Sequence, residues 1–211
     1  RINTDFIDNS AGVDCSDHEV NIKILLDAIV AEGDLTEKHR NGLLAEMTDE
    51  VGTLVLRDNY LQTQAISLIA ADGVAALDSQ TRLIRMLERQ GRLDRAVEFL
   101  PDEEALAERV KAGTGLTRPE LAVLFSYCKI WLYDEILASG LPDDRYLAED
   151  IVRYFPKQIH ERYPARVGQH RLCRELVATL ITNSLINRVG VTFVSEIAEK
   201  SGAATADIAR A

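Results

Sequence analysis

Prolines and glycines cut this chain at intervals that suit helices and little else. The five prolines, Pro101, Pro119, Pro142, Pro156 and Pro164, all fall where one amphipathic stretch ends or the next begins. Gly33, Gly73, Gly91, Gly113, Gly140 and Gly190 punctuate in the same way. Between these marks the apolar residues recur at helical spacing. Ile22, Leu25, Leu26 and Ile29 define a first helix from about Glu19 to Ala31. Ser16 and Glu19 form an S-x-x-E capping box at its start. Asp34 and Glu37 repeat that pattern for a second helix through Met47. A long helix over 49–71 carries Val51, Leu54, Leu61, Ala65 and Leu68 on one stripe. Further helices are predicted over 79–90, 102–112, 118–139 (boxed by Thr117 and Glu120), 144–154, 166–189, 191–201 and 205–211. The last runs to Ala211 without a capping residue, as in a helix that continues.

One segment reads differently. In RINTDFIDN, Ile2, Thr4 and Phe6 alternate, which predicts a short strand. A lone strand needs a sheet, and no other stretch offers a partner. The predicted fold is therefore all-α, a multi-helix bundle-like domain over 19–211. It is preceded by a short extended segment over 1–18 with no sheet of its own.

Charge narrows the partners. Among 211 residues the formal net charge is −10, which disfavours nucleic acid and anionic membrane surfaces alike. No apolar run approaches the ~20 residues of a membrane span, and no signal peptide is visible at the start, which is Arg1 rather than Met. Cys15, Cys128 and Cys173 form no close pair, which predicts a reducing, cytoplasmic setting and no structural zinc. No Gly-rich strand–turn–helix marks a dinucleotide fingerprint.

The stretch DNSAGVDCSDHEV, residues 8–20, gathers Asp14, Cys15, Asp17, His18 and Glu19, all metal-ligand types. A metal site wants a convergent set, and no second His/Cys cluster exists, so no metal is predicted. Asp17 and Glu19 are expected to complement a helix dipole. His160 and His170 flank a turn and are expected at the solvent or an interface. Two polar features stand out. On the 166–189 helix, Leu172, Leu176, Thr179, Leu180, Asn183 and Asn187 share one stripe. This predicts either a buried hydrogen-bonded network at the asparagines or a helix that rolls outward in its second half. On the 49–71 helix, Asp58 falls on the apolar stripe and needs a partner.

Four stretches carry a family resemblance: RINTDFIDNSAGVDCSDHEVNIKILL, VLRDNYLQTQAISL, GLTRPELAVLFSYCKI and HRLCRELVATLITNSLINRVGVTF. Together they resemble the large NAD-specific glutamate dehydrogenases of bacteria. The resemblance implies that residues 1–18 close a NAD-binding catalytic domain of Rossmann type, and that 19–211 open a C-terminal helical domain. It implies a parent enzyme that converts L-glutamate, NAD and water to 2-oxoglutarate, ammonium and NADH. That parent is expected to be a homo-oligomer, with the rest of the same polypeptide as this segment's partner. The smaller glutamate dehydrogenases have an Asn-Ala-Gly-Gly-Val-x-x-Ser pattern, onto which Asn9 through Ser16 fall, with Ser10-Ala11 in place of Ala-Gly. By that match Asn9 contacts the dinucleotide, Gly12 is the turn glycine beside it, and Ser16 holds the substrate's side-chain carboxylate. Read alone, Ser16 is a helix cap, Asn9 an ordinary turn residue, and Gly12 a glycine needed for positive φ or close approach. The family's catalytic lysine and proton-shuttling aspartate lie upstream, so no catalytic residue is expected here and the segment alone is expected neither to bind NAD nor to react. The alternative is an independent helical interaction module without catalysis.

Overall fold

A computed structural model describes residues 2–211, apart from the side chain of Ala148. Helices are the only regular structure among the described residues, with no strand. The helices are α1 (Asp5–Asp8), α2 (Ala11–Ala31), α3 (Glu37–Glu46), α4 (Thr48–Ala71), α5 (Leu77–Arg89), α6 (Glu103–Ala112), α7 (Arg118–Ala138), α8 (Arg145–Ala148), α9 (Lys157–Arg162), α10 (Pro164–Val167), α11 (Cys173–Val189), α12 (Phe193–Ser201) and α13 (Thr205–Arg210). Short 3₁₀ turns cover Gly73–Ala76, Leu141–Asp143 and Glu149–Tyr154.

Central to the packing is α7. Its Leu121, Ala122, Val123, Leu124 and Phe125 are buried in succession, so it is apolar on every side. Such a helix is stable only inside other helices, and α4, α5, α11 and α13 pack around it. Its start is sharply specified. Pro119 sits in the first turn, and Glu120 accepts the Thr117 N–H at 2.6 Å in the expected capping box. Arg109 of α6 grips the same Glu120 with both terminal nitrogens, at 2.5 and 2.6 Å.

Two apolar cores result. The larger joins the end of α4 to α5, α6, α7, α12 and α13. The smaller gathers Ile22, Leu25, Leu26 and Ile29 of α2 with Leu43, Met47, Tyr154, Phe155, Ile159 and Val167. α11 belongs to both, giving Leu176 and Val177 to the smaller and Ala178 and Ile186 to the larger.

Several expectations are corrected. The strand over residues 2–6 is absent: Ile2–Thr4 have no regular structure and Asp5–Asp8 form one helical turn. Ile7 is what that turn buries, at 2% exposure. Alternation across so few residues did not distinguish a strand from a turn with one inward side chain. The extended remnant of a Rossmann-type domain is accordingly not seen. The first long helix begins at Ala11 rather than Glu19, so it runs unbroken across the division expected at residue 18. Ser16 therefore lies in its second turn and is not its cap. Thr36, not Asp34, caps α3, its hydroxyl accepting the His39 N–H at 3.3 Å.

The helix predicted over 166–189 breaks at residues 168–172, between α10 and α11. His170 lies in that break and is 5% exposed, against the expectation of a solvent or interface position. Its Nε2 lies 3.0 Å from the Asn21 carbonyl and its Nδ1 accepts the Leu172 N–H at 3.0 Å. Asn183 and Asn187 are half-buried, not buried, and neither makes a side-chain hydrogen bond among the described residues. The second half of α11 rolls outward, as the other reading held. Its core-facing residues are Ala178, Ile181, Thr182, Leu185 and Ile186, on the side opposite the asparagines.

Backbone approach is tightest where Gly115 meets Gly73. A Cβ on Gly115 would stand 2.6 Å from both the carbonyl carbon and the oxygen of Gly73. Gly42, by contrast, lies in α3 with open space around it. Gly115→Ala should destabilise the chain by about 1–3 kcal/mol, the usual effect of forcing atoms into a packed site. Gly42→Ala should stabilise it by about 0.5–1 kcal/mol through helix propensity. Chemical denaturation of the two variants checks the opposite signs; two shifts of the same sign would contradict the packing described.

Candidate functional site

α2 is a helix with two chemically different faces at its N-terminal end. Gly12 and Ser16, four residues apart, share the outward face and are both exposed. Val13 lies beside them at 78% exposure, with Val20 one turn further on. Asn9, also exposed, stands in the turn between α1 and α2. The three residues expected to contact ligand are thus all exposed to solvent. Gly12 has helical backbone, so positive φ is not what it supplies. A Cβ on it would meet nothing within 4 Å, so packing within this chain does not require the glycine either. The Val13 and Asp14 N–H groups of the first turn of α2 both donate to the Ser10 carbonyl, at 3.1 and 2.9 Å.

That turn is held from two sides. Asn3 donates its backbone N–H to one Asp8 carboxylate oxygen at 2.7 Å and its amide to the other at 2.6 Å. Asn59 of α4 donates to the Ile7 carbonyl at 2.8 Å and to the Ser10 hydroxyl at 3.0 Å.

The inward face of α2 is a polar cluster. Asp14 and His18 point toward Asp58 of α4, and their ligand-type atoms all lie within 4.8 Å of one another. His18 is 3% exposed, with its Nε2 3.9 Å from an Asp58 oxygen. Its ring stacks on Tyr154 at 4.5 Å. The expected stripe is not the buried face of α4, which buries Val55, Ala65 and Ile66, and the Asp58 side chain is 42% exposed beside His18. Lys129 of α7 completes the group. Its ammonium stands 4.6 Å from the centre of the Phe125 ring and donates to Gln62 of α4 at 3.4 Å. Burial and the neighbouring Asp58 push the Asp14 carboxyl up to about 6. Burial pulls Lys129 down to about 8, while Asp58 and Asp14 act against that fall. The sequence missed this convergent set because Asp58 and Lys129 are distant along the chain. It has ligand types for a cation, and Lys129 already brings positive charge to both carboxylates.

Below this cluster, α2 is bolted to the later part of the chain. Tyr154 donates its hydroxyl to Asp17 at 2.6 Å and accepts from the Asn21 amide at 2.9 Å. Asp17 is therefore an acceptor for a distant tyrosine, not simply a complement to the helix dipole. Glu19 pairs with Lys23 on the surface. Nothing local in the sequence pointed to Tyr154, Asn59 or His170, since each acts across more than 40 residues.

Comparison with known proteins accounts for the two-part character. Residues 1–69 match the bacterial NAD-glutamate dehydrogenase catalytic domain, and residues 113–211 match the glutamate dehydrogenase C-terminal family. The NAD-specific glutamate dehydrogenase of Pseudomonas aeruginosa is 54% identical over 209 residues, covering 99% of this chain and 13% of that protein. Its counterpart in Halomonas elongata is 52% identical over 211 residues, covering 100% of this chain and 13% of the relative. That of Mycobacterium tuberculosis is 44% identical over 210 residues, with the same coverages. Along its length the chain is similar to NAD-specific glutamate dehydrogenases. It spans about 13% of the length of these relatives.

The Asp14 position yields a pH test. Its native pKa lies above the unfolded value of 3.8, so the folded state holds the proton more tightly. That contribution is fully present below pH 3.8 and is lost as pH rises through about 6. Asp14→Asn keeps the shape and removes the ionisation. Its stability relative to the unchanged chain should therefore rise between pH 4 and pH 7. Denaturation of both proteins at these two pH values checks this; a constant difference would contradict a buried, strained carboxyl.

Proposed function

We propose that this chain works within an NAD-dependent glutamate dehydrogenase that converts L-glutamate, NAD and water to 2-oxoglutarate, ammonium and NADH. The observation that carries the proposal is the open outward face at the start of α2. Gly12 and Ser16 are exposed on it and Asn9 is exposed in the turn before it, and the three residues resemble the ligand-binding pattern of the smaller glutamate dehydrogenases. Ser16 donates its hydroxyl to the far carboxylate of glutamate, with the positive end of α2 nearby. Anchoring that carboxylate orients the substrate's Cα–H, and small misplacements there are costly in rate. Asn9 contacts the dinucleotide, and Gly12 lets it approach the backbone. NAD, when bound, accepts the hydride; the residues of this chain bind and orient. No catalytic role is assigned to any aspartate here.

The division between catalytic and supporting parts is one of faces as much as of segments. The residues up to 18 give the outward face to ligand, while residues 19–211 form the helical body that holds it. The remainder of the same polypeptide closes over Val13 and Val20, which are too apolar to be left in water for no purpose. In this proposal the whole enzyme is a cytoplasmic homo-oligomer. Among the described residues no single helix is long and apolar enough to cross a membrane.

Two outcomes follow. In the full-length enzyme, Ser16→Ala should weaken glutamate binding by about 1.5–3 kcal/mol, the value of a hydrogen bond to a charged group. Affinity for NAD should stay the same. Ser16 is exposed inside a helix and caps nothing, so the melting temperature should not fall. Steady-state kinetics with a melting curve on one protein checks both, and an unchanged KM for glutamate would remove Ser16 from the site. The 211-residue chain alone should give no calorimetric signal with NAD in the micromolar range, since its sequence carries no Gly-rich dinucleotide fingerprint. Tight NAD binding by the isolated chain would contradict the division of labour proposed.

A further inference from the structure

The stretch VLRDNYLQTQAISL lies on α4, far along the chain from the Asn9 turn, yet its polar residues converge on the start of α2. Asp58 meets His18, Gln62 accepts from Lys129, and Asn59 reaches the turn itself. A primary amide has two hydrogens to donate, and Asn59 makes two donor contacts, one on each side of Asn9. One goes to the Ile7 carbonyl, which lies at the end of α1 and has no helical donor of its own. The other goes to the hydroxyl of Ser10, the residue that leads into α2. These are the only side-chain hydrogen bonds between residues 2–16 and the rest of the chain among the described residues. The Asn3–Asp8 pair is internal to that segment. A single helical turn such as α1 does not hold itself, because nucleation fixes many dihedrals for one hydrogen bond. Without Asn59, no side-chain hydrogen bond would tie the turn to α4, and burial of Ile7 and Asn3 is non-directional.

We propose that Asn59 is a positioning residue for the ligand-binding face, holding the backbone on both sides of Asn9 so that the Asn9 side chain and the Gly12 backbone meet the dinucleotide in one orientation. The inference rests on the function proposed above for Asn9. Asn59 itself touches no ligand. Its contribution is directional: two hydrogen bonds to backbone and hydroxyl atoms at defined points set the rotation of the turn, which apolar contact alone leaves loose.

The test uses the full-length enzyme. Asn59→Asp keeps the shape but replaces the donor with an acceptor facing a carbonyl; Asn59→Ala removes the group. Each should raise KM for NAD about tenfold, as expected for misplacing a binding group by a fraction of its contact distance. A merely structural role would lower the melting temperature and the fraction of active enzyme while leaving KM alone. Ser10→Ala removes one of the two bonds and should raise KM for NAD by about threefold. In the Asn59→Ala background, Ser10→Ala should add nothing further, because the two side chains act as one unit. If the Asn59 variants do not fold, Ser10→Ala alone decides: an unchanged KM for NAD overturns the proposal. Asn9→Ala in the same enzyme separates the two levels of inference. A raised KM for Asn9→Ala with normal KM for the folded Asn59 variants overturns the positioning role only. Normal KM for NAD in Asn9→Ala overturns the assignment of Asn9 and the positioning role with it.

Discussion

The packing of α2 on α4 is the interaction on which the rest of this molecule depends. Along most of its length α2 is an ordinary amphipathic helix, burying Ile22, Leu25, Leu26 and Ile29. At its N-terminal end the same inward face turns polar, with Asp14 and His18 in place of leucines. Burying those groups is unfavourable unless partners are already in position. α4 supplies Asp58 and Asn59, α7 supplies Lys129, and the 3₁₀ turn before α9 supplies Tyr154. Three separate parts of the chain must therefore assemble before the start of α2 is satisfied.

That requirement gives the outward face its rigidity. A helix fixed on one side by apolar contact can still rotate or slide by fractions of an ångström. A helix whose inner face carries charged and hydrogen-bonding groups has far fewer acceptable positions, because each misplacement strands a buried polar atom. The opposing pressures on Asp14 and Lys129 come from this arrangement. Burial acts against both charges, and each charge supports the other across the cluster. The arrangement keeps Gly12 and Ser16 at a set angle to the helical body. It also explains how a region joined to a catalytic domain and a region joined to a C-terminal domain share one polar seam.

In the function proposed above, the open face is one part of a binding site. It would offer a hydroxyl, an amide and an approachable backbone, but no walls. Val13 and Val20 are exposed beside it. Ligand recognition and catalysis depend on excluding water, and one helix face cannot do that. The supporting work is distributed differently: the Tyr154–Asp17–Asn21 bonds and the His170 contact to Asn21 tie α2 to the chain's second half. Through them the helical body reaches within a turn or two of Ser16.

The all-helical class and most helix positions were legible in the sequence, because periodicity and punctuation are local properties. The α7 capping box was legible for the same reason, since Thr117 and Glu120 are three residues apart and bond to each other. The motif over Asn9–Ser16 was also visible as a pattern of residue types. The sequence did not determine where α2 begins. Ser16 and Glu19 spell a cap as well as Ser10 precedes one, and only the burial of Ile7 and the grip of Asn59 select the earlier start. It did not determine the buried face of α11 either. Leucines and asparagines on one side, and Ala178, Ile181 and Ile186 on another, are both helical stripes. The choice between them fell to α7, whose buried apolar residues share the larger core with Ala178 and Ile186 of α11. Local spacing decides that a helix forms; which of its faces is inside, and which polar groups meet there, is decided by neighbours brought together from elsewhere in the chain.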